Sequence, residues 1–127
     1  MIVGLGTDIV PVETMRSNMH REVYLHRVFT EQEIAECCAL RHADQCFAVK
    51  FAVKEAFMKA LGSGIRQGVW FTQIEVLHDC TTVRLSGHAA ALYDTLGMPH
   101  IHVGASRQGV FIIALVMLEA SENQENR

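Results

Sequence analysis

The sequence predicts a single α+β domain, and three observations lead there. A long helical stretch, Asp44 to Gly64, occupies the middle of the chain. Apolar strand-like runs open and close it, Met1–Val10 and Val110–Leu118. The length of 127 residues, half of them hydrophobic, suits one domain with a modest core, assigned to residues 1–120, with 121–127 as a polar, disordered tail. The formal charge of −3 excludes a general affinity for nucleic acid. No apolar run approaches the roughly 20 residues of a membrane span, and the N-terminus lacks the basic region and cleavage site of a signal peptide. A cytoplasmic protein with no nucleic-acid and no membrane partner is expected.

The opening strand, MIVGLGTDIV, is so uniformly apolar that it is expected to be buried on both faces. Alternation puts Gly4, Gly6 and Asp8 on one face and Val3, Leu5 and Ile9 on the other. The glycine face invites close approach by another element. Asp8, an acid in that row, reads either as a cap for the helix begun at Pro11 or as a metal ligand. From Val12 to Phe29 the pattern is helical, interrupted at Ser17-Asn18, and carries a basic stripe of Arg16, Arg21 and Arg27 on an acidic protein. Thr30-Glu31-Gln32-Glu33 is a capping box, which starts a helix that runs through Leu40.

The central helix follows a break at Arg41–Asp44. Asp44 is its expected N-cap, Lys59 lies in its last turn, and Gly62 suits the left-handed position past its end. Its apolar residues do not form one stripe: Phe47, Phe51 and Met58 share a face, Ala52 and Ala56 another, Val53 and Phe57 a third. A helix apolar nearly all round is buried. Yet it carries Lys50 beside Lys54, and Glu55 beside Lys59, each pair one turn apart. A buried charge needs a partner, because leaving one unpaired costs roughly 3–5 kcal/mol. The partner is either another side chain or a bound ligand.

Gly62, Ser63, Gly64 and Gly68 make a loop whose backbone N–H groups can approach phosphate. Thr72–His78 reads as a strand with Ile74 and Val76 inward, paired through the turn His78–Thr81 with Thr82–Leu85. Ser86 is the expected cap of a helix closed by Gly97. His100–Ser106 is a strand with His100, His102, Gly104 and Ser106 on one face. Gln108-Gly109 turns the chain back into the last strand. The four cysteines, Cys37, Cys38, Cys46 and Cys80, contain no CxxC and fit a reduced compartment. Cys38, His42 and Cys46 have the spacing of a soft metal site on an unbroken helix, but the Arg41–Asp44 break separates them.

Two stretches carry a resemblance. FAVKFAVKEAFMKALGSGI is similar to the second signature of the 4′-phosphopantetheinyl transferases of the holo-acyl-carrier-protein synthase type, and GTDIV resembles the first. HVGASR resembles part of the third, with Gly104 in place of serine and Arg107 in place of a histidine. Lys50 stands where the family has arginine, and Thr14 where it has another arginine. The resemblance implies the family fold, an antiparallel sheet packed on a long central helix. It implies transfer of the 4′-phosphopantetheine group from coenzyme A to a serine hydroxyl of an apo-acyl-carrier protein, with release of adenosine 3′,5′-bisphosphate. It also implies a homotrimer with sites between subunits.

On that reading Asp8 and Glu55 hold Mg2+ and Lys59 offsets phosphate charge, which are the expected catalytic groups. Lys50, Lys54, Ser106 and Arg107 with the Gly62–Ser63–Gly64 loop bind coenzyme A. Arg16, Arg21 and Arg27 meet the carrier protein. The chemistry is self-consistent. Phosphoryl transfer from a pyrophosphate is a matter of positioning and charge neutralisation. Magnesium keeps several waters, so one or two carboxylates suffice. A metal-bound water or Glu55 itself would accept the serine proton. The four departures leave open a non-catalytic relative that binds coenzyme A or a carrier.

Overall fold

A computed structural model of the chain describes residues 1–62 and 68–121. Ser63, Gly64 and the polar tail beyond Ser121 lie outside the described residues. Strand β1 (Ile2–Pro11) is followed by α1 (Val12–Asn18), α2 (Glu22–Val28), α3 (Glu31–Cys38) and the central α4 (Ala43–Ala60). A 3-10 turn (Phe71–Gln73) leads into β2 (Ile74–Val76) and β3 (Val83–Leu85). Helix α5 (Gly87–Thr95) and the hairpin β4 (His100–Gln108) and β5 (Phe111–Glu119) complete the order. The main sheet is three-stranded, β1-β5-β4, antiparallel throughout, and β2-β3 form a separate two-stranded ribbon. The α+β architecture expected from the sequence is the one found.

The core lies between one face of the main sheet and α4, which buries Phe47, Ala52, Val53, Ala56 and Phe57 against Ile112, Val116 and Leu118. Burial of each large apolar side chain contributes about 1.5–3 kcal/mol relative to exposure. Two glycines set how closely the layers approach. A Cβ at Gly6 would collide with the Ala56 carbonyl, and one at Gly4 with the Ala60 carbonyl. The bare backbone of β1 therefore lies directly on the backbone of α4. Gly62, at φ +76°, ends the helix region as its sequence position predicts, with its N–H donating to the Lys59 carbonyl.

Several expectations need correction. Strand β1 is covered on one face only: Leu5 and Ile9 on its other face are 57% and 62% exposed. Alternation assigned the faces correctly, but the apolar run misled, because it does not reveal whether a second layer exists. The N-cap of α4 is His42, and Asp44 lies inside the first turn with its carboxylate accepting the Gln45 N–H. Ser86 precedes α5 without capping it through its side chain; the Gln73 side chain accepts the Ala89 N–H instead. The strand expected over Thr72–His78 is short, because the 3-10 turn occupies its first residues. The cysteines are not all reduced. Cys37 and Cys46 form a disulfide across the α3–α4 turn. That removes Cys46 from the soft metal reading, and among the described residues no three His, Cys, Asp or Glu side chains cluster to hold a metal.

Candidate active site

The close contact of β1 and α4 has a chemical consequence. Asp8 follows Gly4 and Gly6 on the same face of β1, so it meets α4 where Glu55 and Lys59 emerge. The Lys59 ammonium donates to the Thr7 carbonyl at 2.9 Å and to Asp8 Oδ1 at 3.2 Å. Asp8 is mostly covered, whereas Lys59 is half exposed and free to turn towards solvent. Glu55 accepts no hydrogen bond and forms no ion pair among the described residues. Burial, then the negative charge of Asp8, push its pKa up, and Lys59 only partly offsets them. The structure thus brings all three predicted catalytic residues together.

This arrangement suits a small divalent cation. A half-buried carboxylate without a donor, repelled by a second carboxylate, is what a bound cation would relieve. Two carboxylates are a complete protein contribution for magnesium, which retains water for the rest of its shell. Asp8 and Glu55 are the residues that would hold it.

Lys50 and Lys54 have a different role from the one expected. They are 1% and 0% exposed. Lys50 donates to Glu36 at 2.8 Å and to the carbonyls of Val76 and Leu77 at 2.7 and 3.4 Å. Lys54 donates to Glu33 at 2.7 Å and to the carbonyls of Phe71 and Ile74 at 3.0 and 2.6 Å. An ammonium has three donors, and each of these uses all of them inside the protein. Neither can reach a coenzyme phosphate. The lysines pin α3, β2 and the Phe71–Ile74 segment to α4. Burial pulls the Lys54 pKa down while the Glu33 carboxylate works against that. Glu33 also accepts the Thr30 and Val76 N–H groups, so the capping box of α3 doubles as the socket for a buried lysine. Glu33 and Glu36, which hold the two lysines, have no assigned role in the sequence. The available signal was a capping-box glutamate near two lysines on a helix with no wet face.

Arg107 lies on the α4 side of β4, where its guanidinium donates to Gln45 Oε1 at 2.7 Å and to the Gly109 carbonyl at 2.8 Å. Gln45 is in the first turn of α4, and Glu55 is about 15 Å further along the helix axis at the usual rise. Ser106 and Arg107 line a separate cleft of about 300 Å³ with Gln45, Asp79 and Thr81. Within one chain they do not join Asp8 and Glu55. Of the basic stripe, Arg16 is neutralised by Glu13 at 2.6 Å and Asp44 at 3.1 Å. Arg21 donates to neutral Asn18, and Arg27 makes no hydrogen bond or ion pair among the described residues. Of the loop residues expected to bind coenzyme, Gly62 alone is described. Tyr24, unassigned from sequence, lies beside the site: burial, then Glu55, push its phenol pKa up.

A sequence model of the 4′-phosphopantetheinyl transferase superfamily matches residues 4–115. The chain is 36% identical over 124 residues to the holo-[acyl-carrier-protein] synthase of Geotalea daltonii, covering 94% of this chain and 99% of the relative. It is 40% identical over 131 residues to that of Magnetococcus marinus, covering 94% of each. Among solved structures it is similar to a Bacillus anthracis holo-(acyl-carrier-protein) synthase in complex with CoA (3′,5′-ADP), with a TM-score of 0.76, 30% identity, and coverage of 95% of this chain and 99% of that one. The Neisseria meningitidis holo-[acyl-carrier-protein] synthase superposes with a TM-score of 0.81 at 30% identity, covering 94% and 99% of the two chains.

Proposed function

The chain belongs to the 4′-phosphopantetheinyl transferase superfamily and is an enzyme of the holo-acyl-carrier-protein synthase type, and on that premise we propose how its residues act. It moves 4′-phosphopantetheine from coenzyme A to a serine hydroxyl of an apo-acyl-carrier protein, in the presence of magnesium. The serine oxygen attacks the phosphorus that carries the pantetheine. The bond from that phosphorus to the pyrophosphate bridging oxygen breaks, and adenosine 3′,5′-bisphosphate leaves. Magnesium, when bound, supplies charge neutralisation at the pyrophosphate.

The chain's own residues do the rest. Asp8 and Glu55 would hold the cation beside the pyrophosphate. Lys59, half exposed and tethered only to Asp8 and the Thr7 carbonyl, can turn its ammonium onto a phosphate oxygen. The serine proton goes to Glu55 or to a water that the cation would hold. The observation that carries the reading is the meeting of Asp8, Glu55 and Lys59 across the glycine contact.

The wild-type protein, given coenzyme A, magnesium and an apo-carrier, is expected to add a phosphopantetheine-sized mass to the carrier. Chelation of the metal, Asp8→Ala or Glu55→Ala should remove that gain. Modification that persists in both variants would defeat the assignment.

Self-association belongs to the same proposal. The outer sheet face leaves Leu5, Ile9, Phe111, Ile113 and Leu115 exposed. Arg107 lies too far from Glu55 to serve the same site within one chain. A homotrimer that covers this face and brings Arg107 of one subunit towards Asp8 and Glu55 of the next accounts for both. A cytoplasmic location completes the proposal and rests on the nature of the two substrates. No helix among the described residues is long and apolar enough to cross a membrane.

A further inference from the structure

A cleft of about 410 Å³ lies beside the first turns of α4, and none of the roles above uses it. Cys46 and Cys80 line it, together with Arg41, His42, Val49 and His78. Cys46 is one half of the Cys37–Cys46 bridge, and the two halves differ in access. Cys37 is fully buried, whereas Cys46 is half-buried and borders the cleft. A thiolate attacks only a sulfur it can reach, so the cleft makes Cys46 the reactive end and Cys37 the leaving group. The bridge ties the end of α3 to the first turn of α4. Glu36, next to Cys37, holds Lys50, and Gln45, next to Cys46, receives Arg107.

Charge narrows which thiol fits. None of the described residues that line the cleft is acidic. His42 feels the Asp44 carboxylate and His78 that of Glu36, but Arg16 and Lys50 already engage those two acids. Arg41 is exposed and makes no hydrogen bond or ion pair among the described residues. The unneutralised charge of the lining is therefore cationic. Cys80, the other thiol there, competes poorly, because burial pushes its pKa up. Compartment gives a reason for exchange: in the cytoplasm proposed above, disulfides are transient or redox-sensing.

We propose that Cys46 is a thiol–disulfide exchange site, and that the cleft admits an anionic low-molecular-weight thiol such as glutathione or coenzyme A. The incoming thiolate forms a bond to Cys46 Sγ, the Cys37–Cys46 bond breaks, and Cys37 leaves as a thiolate that takes up a proton. A second small thiolate then attacks the small thiol's sulfur in the mixed disulfide. The small disulfide departs, and Cys46 leaves as a thiolate and is protonated in turn. The protein bridge gains two electrons, and two small thiols are oxidised to one disulfide. An excess of the small disulfide drives the same steps backwards. The bridge thereby follows the surrounding thiol pool, and the exchange requires no transfer to a carrier.

Folded, oxidised wild-type protein is treated with reduced glutathione, coenzyme A or the neutral 2-mercaptoethanol, then alkylated and mapped by mass. Each rate is divided by the rate of that thiol on a small disulfide free in solution. At low salt, the corrected rate of at least one anionic thiol should exceed the neutral one by about threefold or more, and Arg41→Glu should remove that advantage. Oxidised glutathione should close the bridge again in the reduced wild type. In Cys37→Ala it should place its adduct on Cys46 ahead of the more exposed Cys38. Any of four results would overturn the proposal: a bridge that opens only on unfolding, Cys37 and Cys46 that stay free thiols in oxidised glutathione, no advantage for either anionic thiol, or an adduct on Cys38 with Cys46 untouched. The wild-type rates decide the matter even where Cys37→Ala fails to fold.

Discussion

At the scale of single residues, Glu55 joins stability and chemistry. Burial and the charge of Asp8 raise its pKa, so the folded, metal-free protein binds this proton more tightly than the unfolded chain does. The stability it contributes is fullest below the ordinary carboxylate range and is lost as pH rises through the raised value. Glu55→Gln should therefore be more stable than wild type in chelator at neutral pH, by roughly 0.5–1 kcal/mol for a half-wet group. The difference should shrink as pH falls towards about 4. Magnesium should raise the wild-type melting temperature and leave that of Glu55→Gln nearly unmoved. Thermal denaturation at two pH values, with and without the ion, checks all three statements. Lys54 gives the opposite kind of test. Lys54→Met alone strands the Glu33 carboxylate in the core and should cost about 3–5 kcal/mol in urea denaturation. Adding Glu33→Leu should recover much of that loss.

At the scale of elements, the face that β1 turns to α4 is the decisive one. Gly6→Ala would drive a Cβ into the Ala56 carbonyl and force strand and helix apart. A loss of about 1–3 kcal/mol is expected, with a much larger fall in transfer rate, because Asp8 withdraws from Glu55. Denaturation and rate measured on one preparation separate the two effects. This contact was legible in the sequence, since strand alternation alone sets Gly4, Gly6 and Asp8 in a row. The long helix, the capping box of α3 and the turn at Gly109 were legible for the same reason: each is written in residues close together in the chain. What could not be read needed distant residues to meet. Lys50 and Lys54 looked like phosphate ligands because their partners, Glu36, Glu33 and the backbone carbonyls of Phe71, Ile74, Val76 and Leu77, come from other elements. The Cys37–Cys46 bridge depends on how α3 folds back on α4, which local spacing does not state.

At the scale of the molecule, the exposed sheet face and the position of Arg107 make the same demand. Ile113→Glu, a charge set in the middle of that face, should give a monomer by light scattering and lose most transfer activity. Complementation tests the shared site more sharply. Arg107→Ala and Glu55→Gln are each expected to be impaired, and mixing them after subunit exchange should restore part of the activity. Restoration requires sites that draw on two chains, and its absence would return Arg107 to a purely structural role.

The buried lysines have one more effect. Successive side chains on a helix point about 100° apart. Lys54 is held inside by three bonds, so α4 cannot roll about its axis without breaking them. Glu55, the next residue, is thereby given a fixed direction from the helix. The two ammonium groups act as a detent, and arrival of substrates need rearrange only side chains around a fixed spindle.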